Sequence, residues 1–196
     1  MVSLMEMKRS LRWKFFTGIS FLFVPILFLL FYVMFYAMDV VRMQAAQSNQ
    51  NLLSLYVQQI DRSLEDLNHY LYKLLVEDTA IRTLGLFRED SVEYVLSRYY
   101  LVRKLDAAME NYKNADMFFV YTAKNDKLIA NYRYYDQATA EGRSRLLRQW
   151  IHESPAIRHW MLAKDEKGYG LVRWITENHV TVGAWIPVPQ LMVPLQ

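Results

Sequence analysis

The stretch GLVRWITENHVTVGAWIP, residues 170–187, predicts two antiparallel strands joined by a tight turn. β-Branched and aromatic residues fill both strands, and the polar residues 177–179 lie between them. Because side chains alternate along a strand, Arg173 and Trp174 are expected on opposite faces. These two strands predict that the C-terminal part of the chain is built around an antiparallel sheet.

Further strands and a helix precede this pair. MFFVY at 117–121 and KLIAN at 127–131 flank a polar turn and predict a hairpin, and HWMLA at 159–163 predicts another strand. Residues 139–152 have a helical pattern that ends before Pro155. We therefore predict an α+β domain, a meander of about five short antiparallel strands with helices packed on one side.

Two more helices are predicted upstream of the sheet. Asp78 and Thr79 can cap a short turn that ends at Gly85, and a longer helix opens after Asp90 or Ser91. The longer helix is expected to bury one face of helical period and to end around residues 111–114. That face consists of Val92, Val95, Leu96, Tyr99, Val102, Leu105, Met109 and Tyr112.

A heptad seam precedes these helices, with apolar residues at alternating spacings of four and three. Its members are Leu53, Val57, Ile60, Leu64, Leu67, Leu71 and Leu74. The seam predicts a stalk helix over residues 39–76. It can pack on the chain's own domain or form a homodimer contact with a second copy, and both interpretations can apply to different parts.

The most apolar stretch, residues 15–38, contains no charged residue. A helix of this length reaches roughly 36 Å, enough to cross a hydrocarbon core about 30 Å thick. Residues 1–14 carry four basic residues and one acidic residue, which accounts for the net charge of +3. The positive-inside rule places this basic tail in the cytoplasm and the chain beyond residue 38 outside. We expect a single-pass plasma-membrane protein.

Composition argues against several functions. Residues beyond the basic tail are electrically balanced, which gives no footprint for nucleic acid. The absence of cysteine excludes disulfides and thiolate metal sites, and the four histidines have no ligand-like spacing. No catalytic motif and no nucleotide-binding glycine loop occurs. We expect no enzyme activity in this chain, no catalytic residues, no cofactor, no metal and no nucleic-acid partner.

Two sets of aromatic and charged residues are candidates for ligand contact. In NYRYYDQ, residues 131–137, Arg133 stands beside Tyr135 and Asp136 just after a strand. A guanidinium beside aromatic rings can hold a carboxylate in a small pocket. The later strands add Trp160, Arg173 and Trp174, which could line the same concavity. Surface-loop and core-packing roles are the alternatives.

The order of these segments resembles the N-terminal input region of YesM-like sensor histidine kinases from Gram-positive bacteria. The resemblance rests on QSNQNLLSLYVQQIDRSLEDLNHYLYKL at 47–74 and on VTVGAWIPVPQLMVPLQ at 180–196. It implies that residues 77–196 form an extracytoplasmic Cache domain, which is PAS-like, and that this domain is incomplete at its C-terminus. It also implies that the chain ends before the second span and the kinase.

Two functional hypotheses follow. In the first, a small molecule or an extracytoplasmic protein binds the outer domain and shifts the stalk helix, which transmits the signal across the membrane. The chain is then the input region of a two-component sensor kinase, without its kinase output. In the second, the chain is a membrane-tethered dimerisation or scaffold module with neither ligand nor enzymatic activity.

Overall fold

A computed structural model describes residues 2–154, 157 and 159–191, without the side chains of residues 2–12, 14, 15 and 85. The chain divides into two compact units, one up to Val57 and the other from Gln58 onward. The first helix, α1 (Val2–Glu77), contributes residues to both units.

The first unit consists of helix α1 up to Val57. Its apolar side chains are exposed, among them Phe21 and Phe28. Pro25 lies inside the helix, as membrane helices tolerate. By length and composition, this apolar helix near the N-terminus could span a membrane. The predicted stalk falls within the same helix, which ends at Glu77.

The second unit has an α+β fold, as predicted. It contains the end of α1, then α2 (Thr79–Leu86), α3 (Val92–Asn111), β1 (Met117–Thr122), β2 (Lys127–Tyr132), α4 (Gln137–Glu153), β3 (Met161–Asp165), β4 (Gly168–Glu177), β5 (Val180–Pro187) and α5 (Val188–Leu191). Side chains of Asp78, Ser91 and Asp136 cap α2, α3 and α4 by accepting bonds from backbone N–H groups. These caps satisfy N–H groups that a helix start leaves without partners.

The five strands form one antiparallel sheet in the order β2-β1-β5-β4-β3. The predicted meander is wrong, because β5 lies between β1 and β4. Asn178 and His179 join β4 to β5, both with positive φ, of 49° and 65°. A two-residue hairpin of this handedness matches the twist of its strands. The turn predicted at residues 177–179 is therefore one residue shorter, because Glu177 pairs with Val180 in the sheet.

Helices cover both faces of the sheet, so the prediction of helices on one side is also wrong. Helices α1, α2 and α3 bury the first core cluster, which includes Leu71 and Phe118. Helix α4 covers the opposite face through the second core cluster, which includes Leu147, Phe119 and Trp185. Alternation along β1 sends Phe118 and Phe119 to these two sides.

Helix α3 buries a different face from the one predicted. Its buried residues are Tyr94, Ser97, Leu101, Leu105, Ala108 and Met109. Of the predicted face, Leu105 and Met109 are buried and Tyr112 is half-buried. The other five, Val92, Val95, Leu96, Tyr99 and Val102, are exposed. Because α3 carries apolar residues on two sides, periodicity alone could not tell which side meets the sheet.

The heptad seam divides into two parts. Leu67, Leu71 and Leu74 are buried in the first core cluster, and the half-buried Leu64 packs against it. Ile60 is half-buried, whereas Leu53 and Val57 are exposed. The C-terminal part of the seam, from Leu64 to Leu74, thus packs on the chain's own domain. Its N-terminal residues Leu53 and Val57 are open to other contacts.

Candidate functional site

Arg133 is bonded to the backbone around the end of α3. Its Nε donates to Ala115 O at 3.0 Å, and its Nη2 donates to Tyr112 O at 3.0 Å and to Met109 O. A cation is favoured beside the carbonyl groups that a helix end leaves without partners. Arg133 therefore ties the end of β2 to the end of α3, a structural role in this fold.

Tyr135 and Asp136 lie on the surface at the start of α4. The carboxylate of Asp136 accepts bonds from the backbone N–H of Thr139, at 3.3 Å, and from the Thr139 hydroxyl. The pKa of the Asp136 carboxyl lies below its ordinary value. The main cause is the hydrogen bond from the Thr139 hydroxyl, followed by that from the Thr139 N–H and by the charge of Lys167. Tyr135 is 73% exposed, with its ring edge-on to Tyr132.

The sheet separates the later candidates. Trp174 is fully buried in the second core cluster, where its Nε1 donates to Ser154 O at 3.1 Å. Alternation places Arg173 on the other face with Ile175, which packs against the first core cluster. Trp160 also packs against the first core cluster. The single concavity expected from the sequence is therefore divided by the sheet.

Trp160 and Arg173 come together across two strands. Met161 pairs with Val172, so the register brings Trp160 opposite Arg173 one residue further along. The atoms Trp160 Nε1 and Arg173 Nε are both buried, and neither has a hydrogen-bond partner among the residues that the structure describes. Buried donors without acceptors are unfavourable, by about 1–3 kcal/mol each.

No ion pair to Arg173 forms within the described part of the chain. Burial lowers the pKa of its guanidinium from the ordinary value. A half-buried cation beside an indole N–H offers two donors and a positive charge to an acceptor.

Two buried acceptors come from other elements that pack on the same core cluster. Asn68 lies between Leu64 and Leu71 on the core-facing side of α1, and its Oδ1 has no partner within the described part of the chain. The same holds for Gln190 Oε1 on α5, where the next residue, Leu191, packs against the first core cluster. We give the name sheet-face polar site to Trp160 and Arg173, which the strand register brings together. The sequence singled out these two donors and missed the acceptors Asn68 and Gln190, which lie on other elements packed on the same core cluster.

A cavity of about 390 Å³ opens at the end of α1, beside α2 and the β4–β5 turn. The buried side chains of Leu75, Ile81 and Val180 line it together with the charged Arg82 and Glu177. An apolar floor with a few polar groups is typical of small-molecule pockets. No sequence motif marked this cavity, because its walls come from segments distant along the chain.

The sequence also missed a buried ion cluster beneath α4. The guanidinium of Arg143 contacts Asp116 and Asp165, at 2.6 Å each, and lies over the Trp185 ring, 4.8 Å from its centre. Trp150 stacks on Trp185 with ring centres 6.4 Å apart. One signal was available: Arg143 lies on the α4 face that carries the apolar positions 140, 147 and 151. These two ion pairs hold α4 on the sheet.

Among the described residues, no group of three or more His, Asp or Glu side chains could hold a metal ion. The chain has no cysteine to add to such a group. Comparison with protein-family models, with curated proteins and with solved structures found no match for this chain.

Proposed function

We propose that this chain is the signal-input region of a membrane-bound sensor histidine kinase of the YesM-like group. Its second unit is then a Cache, PAS-like, sensor domain outside the cell, and its basic N-terminal segment lies in the cytoplasm. A five-stranded antiparallel sheet with flanking helices is the architecture that the resemblance implies. The chain would supply signal input, and enzyme activity would belong to the parent kinase.

The observation that carries this proposal is the extent of α1. One helix contains both the apolar stretch that could span a membrane and the core residues Leu67, Leu71 and Leu74. Closely packed cores have discrete arrangements and do not deform continuously. A rearrangement of the sheet domain would therefore require α1 to move, and α1 is the element able to carry that movement to the membrane.

The sheet-face polar site offers a place where a ligand could act on α1. A ligand acceptor, best an anionic one, would satisfy Trp160 Nε1 and Arg173 Nε, whose burial without partners is unfavourable. In this proposal the ligand also reaches Asn68, a buried acceptor on α1. A ligand bonded to Arg173 and Asn68 together would favour one position of α1 over another.

Thermal unfolding of the full chain in lipid nanodiscs, with a library of small carboxylates and neutral polar compounds, tests the proposal. We expect at least one compound to raise Tm saturably, because ligand at a hundred times its Kd stabilises by about 2.7 kcal/mol. Arg173→Gln should abolish the shift. Arg145→Gln, an exposed arginine of α4, should retain it. A library without any saturable shift would count against sensing.

The cavity beside α2 is the alternative binding site for the ligand. Leu86 lines that cavity and is 69% exposed, so Leu86→Trp can fill it without disturbing the core. Loss of the thermal shift in Leu86→Trp, with retention in Arg173→Gln, would move the ligand from the sheet-face polar site to the cavity. The sensing function would survive that result, but the assignment of the site would not.

The orientation of the chain in the membrane can be tested by labelling introduced cysteines, because the natural chain has no cysteine that would react. A membrane-impermeant maleimide applied to intact cells should label Lys164→Cys, whose position is exposed on β3, and should spare Ser10→Cys until the cells are opened. The reverse pattern would overturn the proposed sidedness.

The second candidate function is a membrane-tethered dimerisation module without a ligand. The exposed apolar side of α3 favours it, because large exposed apolar patches mark interaction surfaces. A stable dimer in a chain that shows no saturable ligand shift would support this function over sensing.

A further inference from the structure

A groove of about 360 Å³ lies between α1 and α3 beside the start of α2. We call it the α1–α3 groove. Its walls come from the last two turns of α1, from Asp78 and Thr79 at the start of α2, and from the last two turns of α3. Small-molecule sites typically have volumes of about 300–1,000 Å³, so the groove is large enough for a small ligand.

Two ion pairs border the α1–α3 groove. Lys104 Nζ contacts Asp78 Oδ2, and Lys73 Nζ lies 4.0 Å from Glu77 Oε2. The other described residues that line the groove carry no charge. The rim is therefore neutral as a whole, and it presents ammonium donors next to carboxylate acceptors.

The pair of Lys104 with Asp78 makes a charged ligand unfavourable. The Asp78 side chain is 6% exposed, and its Oδ1 caps α2 by accepting a bond from Ala80 N at 2.8 Å. An anion that drew Lys104 away would leave this buried carboxylate without its cation, which is strongly unfavourable. A cationic ligand would instead meet the ammonium groups of Lys73 and Lys104, which have the same charge.

A neutral ligand with several hydroxyl groups avoids both penalties. Each hydroxyl donates one hydrogen bond and accepts others, so it can bond to an ammonium and to the adjacent carboxylate without separating them. One of the three ammonium hydrogens of Lys104 serves Asp78, and two are left for a ligand. The Asn111 amide and the Tyr70 hydroxyl also line the groove, and both can donate and accept.

The remaining lining of the groove is apolar. Leu74 and Ala108 are buried, and the half-buried Tyr70 ring packs against Tyr112 and Phe118. Binding sites for small molecules combine such apolar surface with a few placed polar groups. The carbon-bound hydrogens of a polyhydroxylated molecule can pack here while its hydroxyls reach the rim.

From this arrangement we propose that the α1–α3 groove binds a small neutral polyol, about the size of a monosaccharide. The ligand hydrogen-bonds to both ion pairs and packs its carbon skeleton on the apolar lining. Because α1 and α3 both line the groove, a bound polyol favours the packing of these two helices over arrangements that open the groove. The site belongs to the second unit and holds whether or not that unit serves a kinase.

Thermal unfolding of the full chain in lipid nanodiscs, with a panel of neutral monosaccharides and inositols, tests the proposal. We expect at least one member to raise Tm saturably. Its amino-sugar and uronic-acid counterparts, which keep the ring and add a charge, should bind at least ten times more weakly. Saturation distinguishes binding from the general stabilisation that excluded polyols give at high concentration.

Two pairs of variants locate the site. Ala107→Phe should abolish the shift, because the added ring fills the groove from an exposed position of α3. Ala138→Phe, the same change at an exposed position of α4, should retain it. Asn111→Ala should weaken binding by about three- to tenfold through a lost hydrogen bond. Lys113→Ala, exposed just beyond the end of α3, should leave the affinity unchanged.

The outcomes separate the alternatives. A neutral panel without any saturable shift would overturn the proposal, and so would equal shifts in Ala107→Phe and Ala138→Phe. Tighter binding of an amino sugar or a uronic acid would overturn the assignment of a neutral ligand. A shift lost in Arg173→Gln and kept in Ala107→Phe would move the polyol to the sheet-face polar site. That last result would overturn the groove as a binding site but leave the proposed sensing function intact.

Discussion

Arg143 Nη1 lies 2.6 Å from Asp116 Oδ2, and the Arg143 side chain is 2% exposed. The same guanidinium reaches Asp165 through Nε, so that one cation serves two carboxylates. Arg143 belongs to α4, Asp116 directly precedes β1, and Asp165 ends β3. Since the cluster joins a helix to two strands, the attachment of α4 depends on it.

Replacement of Arg143 by glutamine should be strongly destabilising. It leaves two buried carboxylates without a cation, and breaking a buried pair costs about 3–5 kcal/mol. Urea unfolding of the full chain in nanodiscs, followed by tryptophan fluorescence, measures the loss. Arg145→Gln, on the exposed side of the same helix, should change stability by less than about 0.5 kcal/mol. Equal effects of the two changes would mean that the buried cluster contributes nothing specific.

Gly183→Ala should destabilise the sheet. A Cβ at Gly183 would lie 2.6 Å from Arg173 O and would overlap the Phe119 ring. Forcing atoms into a packed core typically costs about 1–3 kcal/mol. The same unfolding measurement should show a loss in this range, because the ring and the backbone must both move.

Gly142→Ala is the matched control for that change. Gly142 lies inside α4, and a Cβ there would come no closer than 4.0 Å to another residue, at Glu166 Oε1. Alanine in a helix interior is better than glycine by about 0.5–1 kcal/mol, so this variant should be stabilised. Destabilisation by both substitutions would contradict the steric explanation for Gly183.

Local features of the fold followed from the sequence, whereas long-range pairings did not. The β5 strand was predicted with its observed bounds, because β-branched and aromatic residues fill 180–187 and the polar residues 177–179 precede them. The pairing of β1 with β5 escaped prediction, since no local pattern encodes contact between strands so distant along the chain. The same limit hid the contact of Arg143 with Asp116.

The candidate site divides in the same way. Trp160 and Arg173 were selected by residue type, but their position opposite each other depends on the register of β3 with β4. Asn68 was visible in the sequence only as a polar interruption of the apolar α1 pattern. Arg133 fitted a ligand pattern equally well, yet the backbone carbonyls at the end of α3 occupy its guanidinium.

Tyr70 should make stability fall at high pH. Burial, with smaller contributions from Tyr112 and Asp78, raises the pKa of the Tyr70 phenol to about 12. An unfolded tyrosine ionises near pH 10, so the folded chain holds this proton more tightly. The stability that the protonated Tyr70 phenol adds to the folded chain is fully present below about pH 10 and is lost as pH rises through about 12. Unfolding free energy measured between these values should therefore decrease with pH.

Tyr70→Phe isolates that effect, because the ring contacts with Tyr112 and Phe118 are retained. This variant should show a flatter dependence of stability on pH above about 10. Tyr72→Phe, at a site 60% exposed on the same helix, should leave the dependence as in the natural chain. A titration of phenolate absorbance should lose a group that ionises near pH 12 in Tyr70→Phe but not in Tyr72→Phe.

The divided seam of α1 leads to the final prediction. Leu71 is fully buried in the first core cluster, whereas Leu53 is 65% exposed. Leu71→Ala should lower the unfolding free energy of the sheet domain by about 2–5 kcal/mol through lost burial and the cavity it leaves. Leu53→Ala should change it by less than about 0.5 kcal/mol. Comparable losses at both positions would mean that the N-terminal part of the seam also packs in the folded domain. Leu53 would then be unavailable for contacts with another chain.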